Sequence, residues 1–329
     1  MKNAAHPCPR PRVVVSNRIY PETLAALGRF ADTEANSGPE PWSGDELLAR
    51  CREADGLLAF MTDRIDGPFL ECSPPLRIIA CALKGADNFD LAAARQRNVA
   101  VSVVPDLLTE PTAELAIGLL IALGRNIVAG DRFVRAGGFR GWRPNLYGVG
   151  LAGAKVGLLG LGQVGRAVAR RLAGFGCRLI GHEPAAPPPP EVLAVSFNEL
   201  LSASDAIVLA LPLTGQTRHL IGQEALAAIQ PTALLVNVAR GSLVDEAAVA
   251  EALEQERLGG YAADVFEMED WALPDRPREI SPRLLAHPRT VFTPHLGSAV
   301  AETRRAIEAA AVDALEAFFA GRPVPGRVV

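Results

Sequence analysis

Short apolar runs alternate with amphipathic segments along almost the entire chain. The runs are Val13–Val15, Gly56–Ala59, Leu76–Ile79, Val99–Val104, Val156–Gly160, Arg178–Ile180, Ala206–Leu211, Ala233–Val238 and Gly260–Val265. Runs of this kind, separated by helical patterns, are typical of buried strands in βα units around a parallel sheet. The pattern therefore predicts an α/β protein.

The number of runs predicts two sheets. Roughly nine strands are too many for one ordinary sheet of this kind, so we expect the chain to pass from one sheet to the other near Val104 and Pro105. A long apolar helix begins just afterwards, at Glu110–Glu114, with Pro111 in the first turn, where its missing N–H costs nothing. We expect this helix to link two domains.

A second long helix is predicted near the end of the chain, from about Ser298 through Phe319, and would return the chain to the first domain. The prediction is therefore two Rossmann-like, doubly wound domains. The smaller one is discontinuous and comprises residues 1–106 plus 300–329. The larger one, residues 107–299, is inserted between them.

The segment between Gly124 and Gly153 has no regular pattern and carries Trp142, Tyr147 and several arginines. A stretch this long and irregular inside a compact domain is usually functional or part of an oligomer contact. The residues themselves leave both uses open.

The charge balance favours a small ligand. The 329 residues carry a formal net charge of −4, and like charges form no block. A nucleic-acid-binding protein normally has a basic patch or stripe, which is absent from this pattern. We therefore expect a small-molecule substrate and no nucleic-acid partner.

Cysteine usage and hydropathy indicate a cytoplasmic protein. The scattered cysteines form no C-x-x-C pair, which predicts neither a disulfide framework nor a zinc or other metal site. The longest apolar stretch, Ala113–Leu123, is shorter than the roughly 20 residues that a bilayer requires, and prolines interrupt the N-terminal segment where a signal peptide is apolar. We expect no membrane partner. The cysteines are Cys8, Cys51, Cys72, Cys81 and Cys177.

A glycine-rich turn follows one apolar run and precedes a helical pattern. Gly160, Gly162 and Gly165 have the G-x-G-x-x-G spacing in which the glycines permit a tight turn, close approach to a pyrophosphate and close helix–strand packing. Glu183 ends the next strand, near the position roughly 20 residues on where an acid binds a ribose hydroxyl. A carboxylate there repels a 2′-phosphate, so the sequence predicts NAD in preference to NADP.

Three downstream segments each end an apolar strand with polar side chains. They are Leu235–Ser242, Ala262–Asp270 and Val291–Ser298, and they supply an arginine, several acids and a histidine. In an open α/β sheet the ligand crevice lies beyond the carboxyl ends of the strands, so these groups should converge there. An arginine that holds an anion, a histidine that moves a proton and an acid that orients the histidine suit hydride transfer.

The motifs N-x-x-R-G-x-x-V-D-E, D-V-F-x-x-E and T-P-H-x-G, in this order, resemble those of the D-2-hydroxyacid dehydrogenase superfamily, over nearly the whole chain. The resemblance implies that Arg240, Glu269 and His295 are catalytic and that Asp264 lies near the nicotinamide carboxamide. It also implies that NAD contacts the glycine turn and several later residues. That set is Gly160, Gly162, Gln163, Val164, Gly165, Glu183, Pro212, Thr112, Val238, Ala239, Asp264, His295 and Ser298.

Within this superfamily the chain is similar to the phosphite (phosphonate) dehydrogenases. Lys84 before Gly85 in the loop after the third run, and several longer motifs, carry that likeness. Phosphite carries up to two negative charges, which an extra lysine beside Arg240 would match. The resemblance implies a substrate site formed by Lys84, Gly85, Met61, Arg240, Trp142, Tyr147 and Arg304.

The expected reaction is therefore oxidation of phosphite to phosphate with hydride transfer to NAD⁺. His295 would deprotonate the attacking water, oriented by Glu269; Arg240 is the rival base, although its very high pKa argues against it. The alternative is a D-2-hydroxyacid dehydrogenase or glyoxylate/hydroxypyruvate reductase, in which the same pair protonates a carbonyl. Lys84 discriminates between the two, since a singly charged substrate gives it no evident purpose.

A third reading is an NAD-sensing, corepressor-like binding protein, which shares this fold. It predicts an exposed peptide groove and long disordered flanks, whereas the sequence shows neither obvious flanks nor a degraded catalytic set. The resemblance also implies a homodimer, joined through the helix near Pro111–Arg125 and the segment around Trp142.

Overall fold

The computed structural model of the chain describes residues 10–104 and 106–329. Every pairing between its strands is parallel. The strands are β1 Arg12–Val15, β2 Asp32–Ala35, β3 Gly56–Ala59, β4 Ile78–Cys81, β5 Ala100–Val103, β6 Lys155–Leu159, β7 Arg178–His182, β8 Val192–Ala194, β9 Ala206–Leu209, β10 Leu234–Asn237, β11 Gly260–Ala263 and β12 Thr290–Phe292. They form one five-stranded and one seven-stranded sheet, which confirms the predicted α/β class with two parallel sheets.

Helices follow most strands, as βα units require. They are α1 Pro21–Leu27, α2 Gly44–Cys51, α3 Gly67–Glu71, α4 Leu91–Gln96, α5 Thr109–Gly124, α6 Ile127–Arg135, α7 Gln163–Leu172, α8 Phe197–Ala203, α9 Gln223–Ala228, α10 Glu246–Glu254, α11 Pro282–Ala286 and α12 Ala301–Phe319. Single 3-10 turns lie at Ala173–Phe175, Gly241–Leu243 and Glu267–Glu269.

The chain divides into two compact units. The first runs up to Leu107 and resumes at Ala301, and the second is Leu108–Val300. The assignment of the substrate to the first unit and of NAD to the second stays a prediction.

In the first unit the strand order is β2-β1-β3-β4-β5. The residues of β3 and β4 are all buried, because helices cover both faces of the sheet. Helix α12 packs closely on β3: a Cβ atom on Gly56 would lie 3.2 Å from side-chain atoms of Leu315 and Phe319. The segment after residue 300 is thus an integral part of this unit.

In the second unit the strand order is β12-β11-β10-β9-β6-β7-β8. The order reverses between β6 and β9, and ligands of open parallel sheets bind at such a switch point, beyond the carboxyl ends of the strands. The glycine turn follows β6 directly. Apolar α5 packs across β10, β11 and β12 and closes one face of the sheet.

The structure differs from the sequence-based expectation in three places. Strands β2 and β8 were not predicted, and both lie at sheet edges, where solvent exposure allows polar residues. Helix α12 begins at Ala301 and not near Ser298, because the carbonyl oxygen of Ser298 accepts the N–H of Val300 in a tight turn. The segment predicted to be irregular contains α6.

Two predictions fall on residues outside the described part of the chain: the crossover residue Pro105 and the cysteine Cys8. Of the described cysteines, Cys51, Cys72, Cys81 and Cys177 are all free thiols. No single helix of the described chain is long and apolar enough to cross a membrane; α5 and α6 reach that length and composition only together, across a 63° bend.

Candidate active site

The glycine turn after β6 has two glycines that the fold requires and one that faces open space. Gly160 has φ +92°, and a Cβ atom there would lie 2.6 Å from the carbonyl oxygen of Ala210. A Cβ on Gly165 would lie 2.0 Å from the carbonyl oxygen of Gly160, so α7 can pack against the turn only with glycine here. Gly162 has nothing within 4 Å, which leaves room for a ligand at the amino end of α7.

Glu183, directly after β7, joins the next strand to this turn. One carboxylate oxygen accepts the N–H of Leu161 at 3.2 Å, and the other accepts the N–H of Ala185 at 2.9 Å. The carboxylate is therefore fixed beside the glycine turn, where a ribose hydroxyl can donate to it.

These features fit a dinucleotide. The space at Gly162 lies at the first turn of α7, formed by Gln163 and Val164, where the helix dipole favours the negative charge of a pyrophosphate. Glu183 supplies the acceptor for the ribose. Pro212 follows β9 at the same edge of the sheet, and its carbonyl oxygen accepts the hydroxyl of Thr217 at 2.8 Å.

Arg240 is presented by a turn that Asn237 closes. The buried Asn237 amide donates to the carbonyl oxygen of Arg240 at 2.8 Å and accepts the N–H of Ala239 at 3.1 Å. The Arg240 guanidinium donates to the carbonyl oxygen of Ala239 at 2.7 Å. The asparagine that opens the first motif, followed by Val238 and Ala239, therefore sets the position of the arginine at the carboxyl end of β10.

The next residue, Gly241, brings two segments of the site into backbone contact. A Cβ atom on Gly241 would lie 1.8 Å from the carbonyl carbon of Phe266, so no other residue fits without a shift. Beside this contact the N–H of Ser242 donates to the carboxylate of Asp270 at 2.7 Å. Burial raises the pKa of Asp270. Hydrogen bonding from Ser242 and the positive charge of Arg240 oppose this rise.

His295 and Glu269 form a direct pair. Nδ1 of His295 lies 2.5 Å from one carboxylate oxygen of Glu269, and the other oxygen accepts the N–H of Phe266 at 2.9 Å. Because a carboxylate only accepts, His295 donates through Nδ1, and its Nε2 is left for a second partner. The histidine has a left-handed backbone, φ +56°, and its side chain is 33 % exposed.

Asp264 holds the loop that carries His295. Its carboxylate accepts the hydroxyl of Thr293 at 2.6 Å and the N–H groups of Leu296 at 2.6 Å and Gly297 at 2.8 Å. Burial raises the pKa of Asp264, and these three donors and His295 oppose the rise. The predicted contact with the nicotinamide carboxamide stays a prediction; the contacts within the protein assign Asp264 to the histidine loop.

The same loop touches the start of α5. The hydroxyl of Thr112 donates to the carbonyl oxygen of Gly297 at 3.3 Å, and Ser298 continues the chain into the turn before α12. Both residues were predicted to contact NAD, and the structure places them next to the His295 loop.

In the first unit, the predicted substrate residue Met61 lies on a firmly held loop. The buried carboxylate of Asp63 accepts the N–H of Phe60 at 2.7 Å and the hydroxyl of Ser16, and Asn88 donates to the carbonyl oxygen of Met61 at 3.0 Å. Burial raises the pKa of Asp63 to about 6, against the lowering effect of these hydrogen bonds. The loops after β3 and β4 are thereby tied together.

Lys84 and Arg304 belong to this unit as well. Lys84 precedes Gly85 in the loop after β4, and its ammonium group lies 3.6 Å from a carboxylate oxygen of Asp106. The Arg304 guanidinium lies over the ring of Phe60, 5.7 Å from its centre, and burial lowers its pKa. Asp106 gives Lys84 a partner within the protein, so a doubly charged substrate is not needed to account for a lysine at this position.

Trp142 and Tyr147 lie on the exposed segment after α6. Trp142 is 82 % exposed. Tyr147 lines a cavity of about 380 Å³ together with Thr232, Gly259 and Thr290, which precede or begin β10, β11 and β12. This is the amino end of the sheet, whereas His295 follows the carboxyl end of β12, so within one protomer Tyr147 does not reach the catalytic pair. The resemblance that implied a substrate-site role for Tyr147 did not distinguish the two ends of the sheet.

Several residues that shape the site have no role in the sequence-based prediction. Asn237 and Glu246 are fixed positions of the first motif and Glu267 is a variable position within the second, but their types alone do not reveal what they contact. His219 and Asp270 gave no signal, because their partners lie far away in sequence. In the described chain no three or more His, Cys, Asp or Glu side chains are placed to hold a metal ion.

Comparison with known proteins identifies a family that the chain matches. Residues 117–297 match the family model described as "D-isomer specific 2-hydroxyacid dehydrogenase, NAD binding domain". A glyoxylate reductase of Aeropyrum pernix is 38 % identical over 97 % of this chain and 96 % of its own length.

Solved structures agree over the whole chain. The TT0316 protein from Thermus thermophilus has a TM-score of 0.89 and 38 % identity, covering 97 % of this chain and 100 % of that one. The NADPH-dependent glyoxylate/hydroxypyruvate reductase of Sinorhizobium meliloti, solved with NADP and malonate, has a TM-score of 0.85 and 31 % identity, covering 97 % of each chain.

Proposed function

Because the chain belongs to the D-isomer-specific 2-hydroxyacid dehydrogenase family, we propose that it interconverts a small 2-oxoacid and the corresponding 2-hydroxyacid, with glyoxylate as the first candidate substrate. It is an NAD-dependent oxidoreductase of that family. The observation that carries the proposal is the His295–Glu269 pair, 2.5 Å apart, at the carboxyl end of the sheet. The name of the Aeropyrum relative favours glyoxylate over phosphite.

In this proposal His295 moves the proton. During reduction the protonated imidazole donates from Nε2 to the carbonyl oxygen of the 2-oxoacid, and during oxidation the neutral ring takes the hydroxyl proton back. Glu269 accepts from Nδ1 throughout, which fixes the ring orientation and stabilises the imidazolium form. The positioned pair is expected to contribute about 10²- to 10⁴-fold to the rate.

Arg240 is assigned to the substrate anion. A guanidinium matches a carboxylate with two parallel hydrogen bonds, which orients the adjacent carbonyl carbon as well as holding the molecule. Because Asn237 fixes the turn, the arginine is in place before substrate arrives.

Bound NAD(H) on the glycine turn supplies the two-electron transfer to or from the substrate carbon. The residues that would hold it are Gly162 and the first turn of α7 for the pyrophosphate and Glu183 for the ribose. Glu183 is expected to favour NAD over NADP, in contrast to the NADPH-dependent Sinorhizobium enzyme.

A second candidate is the oxidation of phosphite to phosphate, for which Lys84 before Gly85 is the supporting observation. An additional cation suits a compact dianion. Its weight is reduced by Asp106, 3.6 Å away, which neutralises the lysine within the protein. The hydroxyacid reaction needs only the family's shared groups and is therefore preferred.

We further propose a homodimer joined through α5, α6 and the segment that follows. The large apolar side chains exposed there are concentrated in one stretch of the chain, and such patches mark protein contacts. They are Ile127, Phe133, Val134, Phe139, Trp142, Leu146, Tyr147 and Val149. Size-exclusion chromatography with light scattering tests this, and a monomer at micromolar concentration would refute it.

The function is tested by following NADH absorbance with purified protein and glyoxylate, hydroxypyruvate, a panel of 2-hydroxyacids, and phosphite, each assayed with the matching cofactor form. Turnover of glyoxylate or a hydroxyacid, lost in His295→Gln, is the expected result. Turnover of phosphite alone would replace the first proposal with the second candidate. Binding of NAD without turnover of any of these compounds would refute both.

A further inference from the structure

The 3-10 turn Glu267–Glu269 carries a second histidine–carboxylate pair besides the catalytic one. Nε2 of His219 lies 2.9 Å from a carboxylate oxygen of Glu267, two residues before Glu269, which holds His295. His219 also has a left-handed backbone, φ +50° against +56° for His295. Left-handed conformations are strained for residues other than glycine and persist where surrounding contacts enforce them.

Glu267 is tied to the first turn of α10 by two reciprocal hydrogen bonds. The N–H of Glu246 donates to the carboxylate of Glu267 at 3.0 Å, and the N–H of Glu267 donates to the carboxylate of Glu246 at 2.8 Å. Both side chains are buried, with 4 % of Glu246 and 7 % of Glu267 exposed. Nothing in the proposed proton transfer uses either carboxyl group.

These contacts fix the turn from two sides. His219 donates its N–H to the carbonyl oxygen of Ser242, which belongs to the neighbouring turn after Arg240. The backbone of Gly241 also lies directly against the backbone of Phe266 and Glu267, where this turn begins. Any shift of Glu267 would therefore move Glu269, because only Met268 separates them.

We propose that Glu267 is a positioning residue that keeps Glu269 directed at His295, and that His219 and Glu246 hold it in place as a buried carboxyl pair capped by a histidine. This inference deepens the proposed function and rests on it, since Glu269 and His295 are assigned there. The residues act through the turn and touch neither substrate nor cofactor.

Glu246 keeps its proton to near neutral pH. A charge on Glu246 would lie in a buried cluster beside the Glu267 carboxyl group, and buried charges of the same sign repel each other. Burial raises the pKa of Glu246 to about 7; the negative charges of its neighbours add to the rise, and its hydrogen bond from the Glu267 N–H opposes it. The titratable groups that face Glu246 are Glu267, Glu269, Asp270 and Tyr261, with His219 on the far side of Glu267 and Arg240 beside Asp270.

The sign of the pH effect follows from this arrangement. Below about pH 7 Glu246 is neutral. Above that pH its negative charge appears in the buried cluster, beside other carboxyl groups that repel it, and loosens the turn. Oxidation of a hydroxyacid should therefore slow as pH rises through about 7 and Glu246 ionises.

Glu267→Gln tests the positioning role. The amide has one acceptor oxygen, so it cannot accept from both Glu246 and His219. We expect kcat to fall by about 10- to 100-fold, the usual effect of a small misplacement, with the KM for NAD within about twofold of wild type.

Glu246→Gln tests the role of the proton on Glu246. The amide imitates the neutral carboxyl and can still accept from the N–H of Glu267. We expect kcat near wild type at pH 7 and loss of the decline at alkaline pH. Glu251→Gln, on the same helix with a side chain 41 % exposed, removes one charge without touching the cluster and is the matched control.

A measurement independent of turnover separates this inference from the proposed function. The carboxyl pKa of Glu246 is raised from its ordinary 4.5, so folding favours its protonated form and stability is lost as pH rises toward and through about 7. The Tm of the wild type should fall across that window relative to Glu246→Gln, whatever substrate the enzyme uses. The Tm of Glu251→Gln should have the same pH dependence as that of the wild type.

Two results would overturn the inference. One is a Glu267→Gln protein whose kcat and KM for NAD both match the wild type. The other is a Glu246→Gln protein whose Tm has the same pH dependence as the wild type. If no hydroxyacid is turned over but the Tm difference appears, the proposed function is wrong and the inference about the carboxyl pair is supported. The positioning role is then tested with the reaction that the substrate panel identifies.

Discussion

Nδ1 of His295 lies 2.5 Å from one carboxylate oxygen of Glu269, and the other oxygen of that carboxylate is held by the N–H of Phe266. The Phe266 N–H therefore holds one oxygen of Glu269 in place while the other oxygen orients His295. A histidine held in this way exposes only Nε2 to a substrate, and its proton moves along one direction. The pair accordingly determines which face of the site performs acid–base chemistry.

Removing the imidazole should remove the chemistry but not the fold. His295→Gln is expected to lower kcat by about 10²- to 10⁴-fold, the range for loss of a general acid–base group, with NAD affinity nearly unchanged. Glu269→Gln should cost less, about 10- to 100-fold, because its oxygen still accepts from Nδ1 but its charge is lost. Steady-state kinetics and NAD titration measure both, and His287→Gln, a substitution of a histidine at the amino end of β12, is the control. An active His295→Gln enzyme would contradict the assignment.

Gly241→Ala should destabilise the protein and lower activity together. The added methyl group would lie 1.8 Å from the carbonyl carbon of Phe266, which forces apart the segments that carry Arg240 and Glu269. Gly118→Ala is the control of opposite sign: Gly118 lies in α5 with nothing within 4 Å, so alanine should raise stability there by about 0.5–1 kcal/mol. Thermal unfolding and kcat are measured for both variants. A Gly241→Ala protein with the Tm of the wild type would disprove the close contact.

Glu183→Ala should weaken NAD binding and reduce discrimination against NADP. The substitution removes the acceptor for the ribose and also the partner of the Leu161 N–H in the glycine turn. We expect the KM for NAD to rise about tenfold, as for loss of a charge-assisted hydrogen bond, and the NADP/NAD ratio of kcat/KM to rise. Glu191→Ala, an exposed position on the following connector, should change neither value. Unchanged cofactor preference in Glu183→Ala would exclude its ribose role.

Lys84→Ala distinguishes a substrate lysine from a structural one. If Lys84 binds the substrate anion, the KM for that substrate rises while the NAD affinity stays constant; for phosphite, turnover should be abolished. Asp106→Asn provides the comparison, since it removes the carboxylate 3.6 Å from Lys84 without removing the cation. The kinetics of both variants with glyoxylate and phosphite distinguish the two roles. If Lys84→Ala behaves as wild type with each substrate, the lysine does not bind the substrate.

Asp63 should make stability depend on pH in the acidic range. Burial raises its pKa from 3.8 to about 6, so the folded chain binds this proton more tightly than the unfolded chain does. Its contribution to stability is complete below about pH 4 and is lost as pH rises through about 6. The Tm of Asp63→Asn, compared with wild type across this range, should show a flatter dependence on pH. Parallel curves would contradict the assignment.

Central strands were predictable from the sequence and some edge strands were not. Val13–Val15 and the residues of β10 are buried on both faces of a sheet, so only apolar residues are tolerated and the run is visible. The residues Asp32–Ala35 of β2 lie at an edge and are half-buried or exposed, so their letters resemble a loop. Exposure, and not a failure of the βα pattern, hides such strands.

The residues of the candidate site also fall into two groups, those that the sequence predicts and those that it does not. Gly160, Gly165 and Arg240 occur in motifs whose spacing encodes local geometry, and local geometry is readable from a sequence. The contacts of Glu246 with Glu267, and of His219 with Glu267, join positions that are adjacent only after folding. Lys84 is the converse case: its type suggested a ligand for the substrate, and the structure adds the neighbouring carboxylate of Asp106 as a second reason for the charge.

The three hydrogen bonds that Asp264 accepts from Thr293, Leu296 and Gly297 have a consequence for affinity. A loop that must be ordered on binding consumes part of the free energy of association as lost conformational entropy. The loop around His295 is already ordered by a buried carboxylate in the free protein. A small acid with few atoms can therefore bind usefully tightly, and substitutions at Asp264 should weaken substrate binding without any direct contact to the substrate.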